Sequence, residues 1–409
     1  MALASAARAI QQRLNTDHSD QKGSWLPCPG CHGAARFRGR RQKTFSSVLG
    51  PLSLERAYYH CAHCDAGFCP RDEALGLSES TLTPAVTRMV GAVGSAVAFE
   101  EAGQLLAELA DVHLDAKTIE RVSEALGHAI SADERLLVEP DASSASTLYL
   151  GMDGTGIPMR KRELEGRAGK QPNSSAKTRE VKLCTVWSAE GHDDDGVPVR
   201  DAGSITYSAA IESAATLDTD ETPSDFALRV QREADRRGFS SARRRVVLGD
   251  GAPWIWNIAD DLFPGAIQIV DRFHVKQHLS DVAKAIWGAD SDLGRQWAKD
   301  RHAELDDGKI DDILSALSCH AHDCEQARQC IDYIDRNRTR MDYLRFHRQG
   351  LCTSSGVVEA GCKVIVGARL KRAGMHWSLN GANAILALRC CRLSSRFEAF
   401  WKRRADKAA

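Results

Sequence analysis

Apolar and polar positions change period along the chain. Between about 25 and 75 the runs are short and turn-rich: CPGC at 28–31, RFRGRRQK at 36–43, the β-prone ERAYYH, then CAHC at 61–64. That pattern predicts short strands. From 80 to 138 the period becomes helical, in LTPAVTRMVGAVGSAVAF, EEAGQLLAELADV and DAKTIERVSEALGHAI. In the last of these, Ile119, Val122, Leu126 and Ile130 share one face, and Asp115 is placed to cap the start. Helix, short turn, helix is the form that sets its second helix into the DNA major groove. Lys117, Thr118 and Arg121 would face out, but so would Glu120 and Glu124, and any small helical bundle shares the pattern.

After a small, polar stretch, EPDASSAST at 139–147, come three strand-like runs, TLYLGMD, EVKLCTVWS and SITYSAAI. A helix SDFALRVQREADRR, a strand RRVVLGD, a helix PWIWNIADDLF and a strand AIQIVD follow. Three strands, helix, strand, helix, strand is the order of an RNase H-like domain, an α/β fold in which the first and fourth strands are neighbours. A polar helical region at about 276–350 predicts an insertion, and two further helices close the chain. At 409 residues the chain exceeds one comfortable core. The expected organisation is a leader helix at 1–24, a zinc-ribbon-like domain at 25–75 and a helix-turn-helix-like DNA-binding domain at 80–138. An RNase H-like catalytic domain with its helical insertion is expected at 145–400.

Charge decides little globally, with 54 Lys+Arg against 55 Asp+Glu. Locally, Arg38, Arg40 and Arg41 lie in the run between the cysteine pairs, where a ribbon loop would offer them to phosphates; a solvated hairpin gives the same pattern. Residues 160–182 are basic around a Gly/Pro/Ser-rich loop, with Lys170, Lys177 and Arg179 among them, and 363–404 are basic again, with Lys371 and Arg372. The uncharged run 89–99 is too short and glycine-rich to span a bilayer, and the first residues carry no export pattern. A cytoplasmic, nucleoid-associated protein with reduced thiols is expected.

Of thirteen cysteines, Cys28, Cys31, Cys61 and Cys64 form two Cys-x-x-Cys pairs. Zinc takes four thiolates in a tetrahedron, and a Cys-x-x-Cys turn delivers two on one side. His60, His63 or Cys69 can substitute for one of them. The acids are less local. Asp153 and Asp250 each end an apolar run beside glycines, and the strand order makes them neighbours. Two adjacent carboxylates repel, and a divalent Mg2+ or Mn2+ between them keeps both ionised and binds phosphate oxygens. Asp271, ending AIQIVD, rivals Asp250 but ranks second, because an outer strand carries it further from Asp153; His274 could act near it, although a histidine beginning a helix is commonly structural. Glu359 is a third acid, but spacing alone is satisfied by a first-turn Glu that favours the helix dipole and pairs with Lys363.

The segments DGTGIP, GDGAPWIW, FPGAIQIVDRFHVKQHL and SSGVVEAGCKVIVGARLKRAGMHWS resemble the DDE transposases of bacterial insertion sequences, specifically the ISKra group. The resemblance runs from the cysteine pairs nearly to the end of the chain. It implies an RNase H-like domain with a helical insertion before the Glu, and Asp153, Asp250 and Glu359 as the metal-binding triad. It also implies that the zinc and helix-turn-helix-like units recognise the ends of the element. The function expected is therefore a transposase that cleaves DNA with metal ions and transfers strands through the freed 3'-hydroxyl, a homo-oligomer on DNA. An RNase H-like nuclease without strand transfer, or a catalytically dead zinc-dependent DNA-binding protein, shares most of these features.

Overall fold

The runs read from the sequence become strands and helices in a computed structural model, which describes residues 2–78, 80–136, 145–169, 174–194, 196–214 and 223–408. Most of the expected linker (139–144) and Lys170 lie outside these residues. The protein is mixed α/β and divides into two units, Met1–Asp133 with Ser395–Ala409, and Glu134–Ser394.

The first unit begins with α1 (Ala2–Thr16) and an antiparallel sheet in the order β1 (Trp25–Pro27), β2 (Ala34–Ser47), β3 (Gly50–Cys61), β4 (Gly67–Phe68). The β2–β3 ladder is bulged: Phe37 faces Tyr59 and Arg40 faces Ala57, so Arg38 and Gly39 share one partner position. Gly39 supplies the left-handed backbone there, at φ 107°. The hairpin serves two cores. Ala35, Ala57 and Tyr59 pack with the cysteine pairs, while Phe45, Leu52 and Leu54 pack with Ala7 of α1. Helices α2 (Pro70–Ala74), α3 (Pro84–Ala96), α4 (Phe99–Ala110) and α5 (Ala116–Leu136) follow. Helix α4 ends where Asp111 turns left-handed at φ 53°. Val86, Val90, Ala102, Leu106 and Ile119 form a shared helical core.

The second unit is built on strands β5 (Thr147–Pro158), β6 (Thr178–Ser188), the short pair β7 (Gly191–His192) and β8 (Pro198–Val199), β9 (Thr206–Ala210), β10 (Arg244–Gly249) and β11 (Ile267–Val270). Its sheet runs β11-β10-β5-β6-β9: β5, β6 and β9 are antiparallel, whereas β10 and β11 run parallel to β5 on its other side. The crossovers use α6 (Asp225–Arg236) and α7 (Pro253–Leu262). Parallel central strands are covered on both faces, which is why Leu148, Leu150, Val246, Val247 and Leu248 read as unbroken apolar runs and are fully buried.

From the edge strand the chain enters α8 (Arg272–Trp287), then α9 (Asp292–Asp306), α10 (Ile310–Ser318), α11 (Glu325–Asn337) and α12 (Tyr343–Arg348). It returns to the sheet through α13 (Gly356–Gly361), a π-helical turn at Cys362–Gly367 and α14 (Ala368–Leu370). The unit ends with α15 (Leu379–Leu393); the last helix, α16 (Phe397–Ala408), belongs to the first unit, where Arg403 pairs with Asp133 at 2.6 Å.

Candidate active site

Two clusters of ligating side chains stand out, one in each unit. In the first, the four expected thiols converge: Cys28 Sγ lies 3.6 Å from Cys64 Sγ, and Cys31 Sγ lies 3.5 Å from Cys61 Sγ. Tetrahedral zinc with bonds of about 2.3 Å requires sulfurs roughly 3.8 Å apart. The two turns are built alike. Each closes with a backbone bond from the first cysteine, Cys28 N to Gly33 O and Cys61 N to Ala66 O. Each also has a left-handed residue after the second cysteine, His32 at φ 57° and Asp65 at φ 58°. Backbone N–H groups of Cys31 and Gly30 lower the Cys28 thiol to about 7, favouring the thiolate that zinc needs. His60 points away to Asp65, at 2.9 Å. The four-cysteine set is compatible with a zinc unit.

In the second unit, register does the assembling. The parallel ladder of β5 and β10 pairs Gly151 with Leu248, and Asp153 and Asp250 each lie two residues further on. They feel one another, because Asp250 is among the charges that raise the Asp153 carboxyl, after burial as the largest cause. Asp153 accepts from Gly154 N at 2.6 Å and is hydrogen-bonded to the Cys362 thiol, while Asp250 accepts from Ala252 N at 2.9 Å. Gly251 is left-handed at φ 98°, and a side chain there would overlap the Tyr333 ring. The Tyr333 hydroxyl donates to Asp250 O at 2.7 Å, fixing the turn from α11.

Glu359 reaches this region because small residues let α13 lie close on the sheet. A Cβ at Gly151 would overlap Val358, and one at Gly361 would press on Leu183 and Tyr207. The following π turn leaves carbonyls that the buried Arg389 of α15 takes: its Nε donates to Ile365 O at 2.7 Å, and Nη2 donates to Val364 O. A π turn inside a helix is commonly found at a functional site. Glu359 keeps 42% of its side chain exposed and sits 4.0 Å from His274 Nδ1 and 3.9 Å from Lys363 Nζ.

Asp271, the rival acid, is 1% exposed and heavily committed. It caps α8, accepting from Phe273 N at 2.5 Å and His274 N at 3.1 Å through Oδ1, and from Ser355 N through Oδ2. Burial would raise its carboxyl, but the bonds from His274 and Ser355 outweigh that and hold it lowered. It thereby ties the start of α8 to the residue before α13. His274 stands among the acids: Asp271 first, then Asp250 and Glu359, raise the pKa of the imidazole. Its Nδ1 is buried and has no hydrogen-bond partner among the described residues. Ligand atoms of Asp271, His274 and Glu359 all lie within 4.8 Å of one another. An orphaned ring nitrogen amid carboxylates is a donor set that fits a divalent cation.

A family model matches residues 34–397, that of UPF0236, an uncharacterised protein family. The chain belongs to UPF0236. No curated protein sequence matches it. Among solved structures it is similar to the "Drosophila P element transposase strand transfer complex", at 9% identity over 82% of this chain and 83% of that one, with a TM-score of 0.28. A likeness at that score carries no argument about fold or function. The family match spans all the acids and, of the four thiols, Cys61 and Cys64.

The basic residues of this UPF0236 chain separate on inspection. Lys371 Nζ donates to Thr155 Oγ1, two residues from Asp153, with exposed Arg372 following it. The link follows from Trp377 N bonding to Pro158 O and Arg160 N to Trp377 O, which hold this segment to the end of β5. Lys177 is exposed just before β6, the strand beside β5, and Arg179 is half-buried on it. In the first unit, Arg38 and Arg41 are exposed, and Arg41 stacks on Tyr58, 3.4 Å from the ring centroid. Arg40, expected to face phosphate, instead bonds Asp20 at 3.0 Å and Glu55 O at 2.8 Å. Lys117 pairs with Glu120 at 2.8 Å, and Arg121 is exposed. Sequence reasoning passed over Cys362, Tyr333 and Gly151, and left His274 between acting beside Asp271 and a structural role. The available signal for the last was Asp-x-x-His at the end of an apolar strand. No helix among the described residues is long and apolar enough to cross a membrane.

Proposed function

We propose that this protein is a DNA transposase with an RNase H-like catalytic domain. Asp153, Asp250 and Glu359 are its metal-binding acids, and the cysteine unit is its zinc-holding DNA-end reader. The observation that carries the reading is the sheet order β11-β10-β5-β6-β9, with Asp153 inside β5 two residues past its last pair with β10, Asp250 directly after β10, and the Glu359 helix packed on β5. Asp250 is preferred to Asp271 as the second ligand. Asp271 already accepts three backbone N–H groups, whereas Asp250 accepts one.

Magnesium or manganese, when bound, supplies the charge that activates water or a 3'-hydroxyl and stabilises the leaving oxygen. The protein does the rest. The three acids fix where the ions sit, and the Cys362 thiol and the cap at Asp271 orient two elements that carry them. His274 sets the local field. Lys371, Arg372, Lys177 and Arg179 hold backbone phosphates without reading sequence. Arg38, Arg41, Lys117 and Arg121 serve the same purpose in the first unit.

The test uses purified protein, magnesium and a duplex carrying the terminal inverted repeats that flank the gene. Strand cleavage and a joined product are expected, both lost in Asp153→Asn. Cleavage with no joined product would assign a nuclease, and neither product from the wild type would leave only a DNA-binding protein.

A further inference from the structure

Away from the acids, a cavity of about 380 Å3 opens against the first residues of β11, lined by Gln268, Thr339, Arg340, Arg345 and Gln349 among others. At about 3.3 Å per strand residue, its floor at Ile267 lies some 13 Å along β11 from Asp271. Arg340 is held rigidly there: Nε donates to Gln268 Oε1 at 2.6 Å, Nη1 to Arg336 O at 3.2 Å, and the guanidinium lies over the Trp256 ring at 4.7 Å. Gln268 is itself fixed, donating to Asp260 at 2.5 Å. Among the described residues no carboxylate lies within ion-pair distance of Arg340, although burial depresses its pKa. Arg345 meets Asp342 only through Nε, at 3.5 Å. Two more guanidiniums reach neighbouring carbonyls, Arg244 to Gln349 O at 2.7 Å and Arg245 to Pro264 O at 3.1 Å.

A partly desolvated guanidinium whose counter-charge, Asp260, acts only from a distance behind Gln268 is costly unless an anion completes it, and a fixed fork of N–H donors matches phosphate oxygens. We propose that this cavity is a phosphate-binding site, in which Arg340 and Arg345 grip the oxygens and the Thr339 hydroxyl and Gln349 amide complete the lining. The phosphate belongs either to a DNA backbone or to a free polyphosphate. The two sources share this chemistry and separate in the test.

The full-length protein, Arg345→Gln, Arg340→Gln and Arg345→Lys are compared in two measurements. One is the affinity for a labelled DNA duplex over a salt series; the other is the melting shift with inorganic pyrophosphate. If the source is DNA, each Gln variant binds roughly three- to tenfold more weakly, its log–log salt slope falls by about 1, and Arg345→Lys recovers most of the loss. If the source is free, pyrophosphate raises the melting temperature of the wild type and of neither Gln variant, with the DNA slope unchanged. Variants that melt like the wild type and alter neither measurement overturn the proposal. DNA cleavage is not read in either measurement, and Asp250→Asn should keep the wild-type slope, so failure here is separable from failure of the transposase reading.

Discussion

The thiol cluster and the carboxylate cluster are specified in opposite ways. The thiols come from two short turns of the same build, each with its own closing backbone bond and its own left-handed residue. The carboxylates come from β5, from the turn after β10 and from α13, elements that meet only when the sheet has formed. A site of the first kind writes its geometry into the spacing of its ligands. One of the second kind writes it into residues that never touch a ligand, such as Gly151 beneath Val358 or Arg389 on the carbonyls of the π turn.

The contrast can be broken at several points. The largest effect is expected from Cys61→Ser. Structural zinc contributes apparent folding energies of about 10–16 kcal/mol in small domains, so the ribbon should lose both metal and fold. Metal analysis and near-UV circular dichroism would read this, and a folded, zinc-free variant would refute the site. Zinc affinity should also fall as pH is lowered, because protons compete with the metal for the four thiolates.

Next come Asp153→Asn and Asp250→Asn, each expected to reduce magnesium-dependent cleavage more than about a hundredfold, since even outer-shell partners are worth about 10- to 100-fold. DNA affinity should persist. If Asp250→Asn stays active while Asp271→Asn is inactive with an unchanged melting point, the second ligand is Asp271. Gly151→Ala tests packing alone: the added methyl meets Val358 and Trp187, and overpacking of this kind costs about 1–3 kcal/mol. Activity should fall with it although every ligand is intact.

The smallest effect concerns the metal-free site. Burial and Asp250 raise the Asp153 carboxyl above its ordinary 3.8, so its ionised form costs stability at neutral pH. In chelator, Asp153→Asn should therefore gain stability, read as a higher melting temperature than the wild type. That gain should shrink as pH falls through the raised folded value and vanish below 3.8, where the wild-type acid is protonated in both states. A variant less stable than the wild type at neutral pH would contradict the crowded-acid picture.

Much was legible in the sequence because burial on both faces leaves unbroken apolar runs. Strands β5, β6, β9, β10 and β11 coincide with the runs around Leu150, Val186, Tyr207, Val247 and Ile269. The Cys-x-x-Cys spacing marked the thiols. What stayed hidden depends on partners distant in the chain. Asp271 ranked second to Asp250 on strand order yet stayed a rival, because nothing near it announces that Ser355 N will claim one oxygen. Arg40 looked like a phosphate contact because Asp20 carries no pattern that pairs it with β2. Nothing near Gly151 announces its packing role, since the helix it admits lies beyond the whole insertion.

The pairing of β5 with β10, and the late arrival of α13, also set an order of events during synthesis. A pairing so far apart in sequence is slow to close, and domains generally fold as the chain emerges, N-terminal units first. The thiol knuckles can close as soon as Cys64 leaves the ribosome, whereas the acids wait for Glu359, which follows the whole helical insertion. Nascent chains halted before Gly356 should already hold zinc and yet gain no protease protection from magnesium.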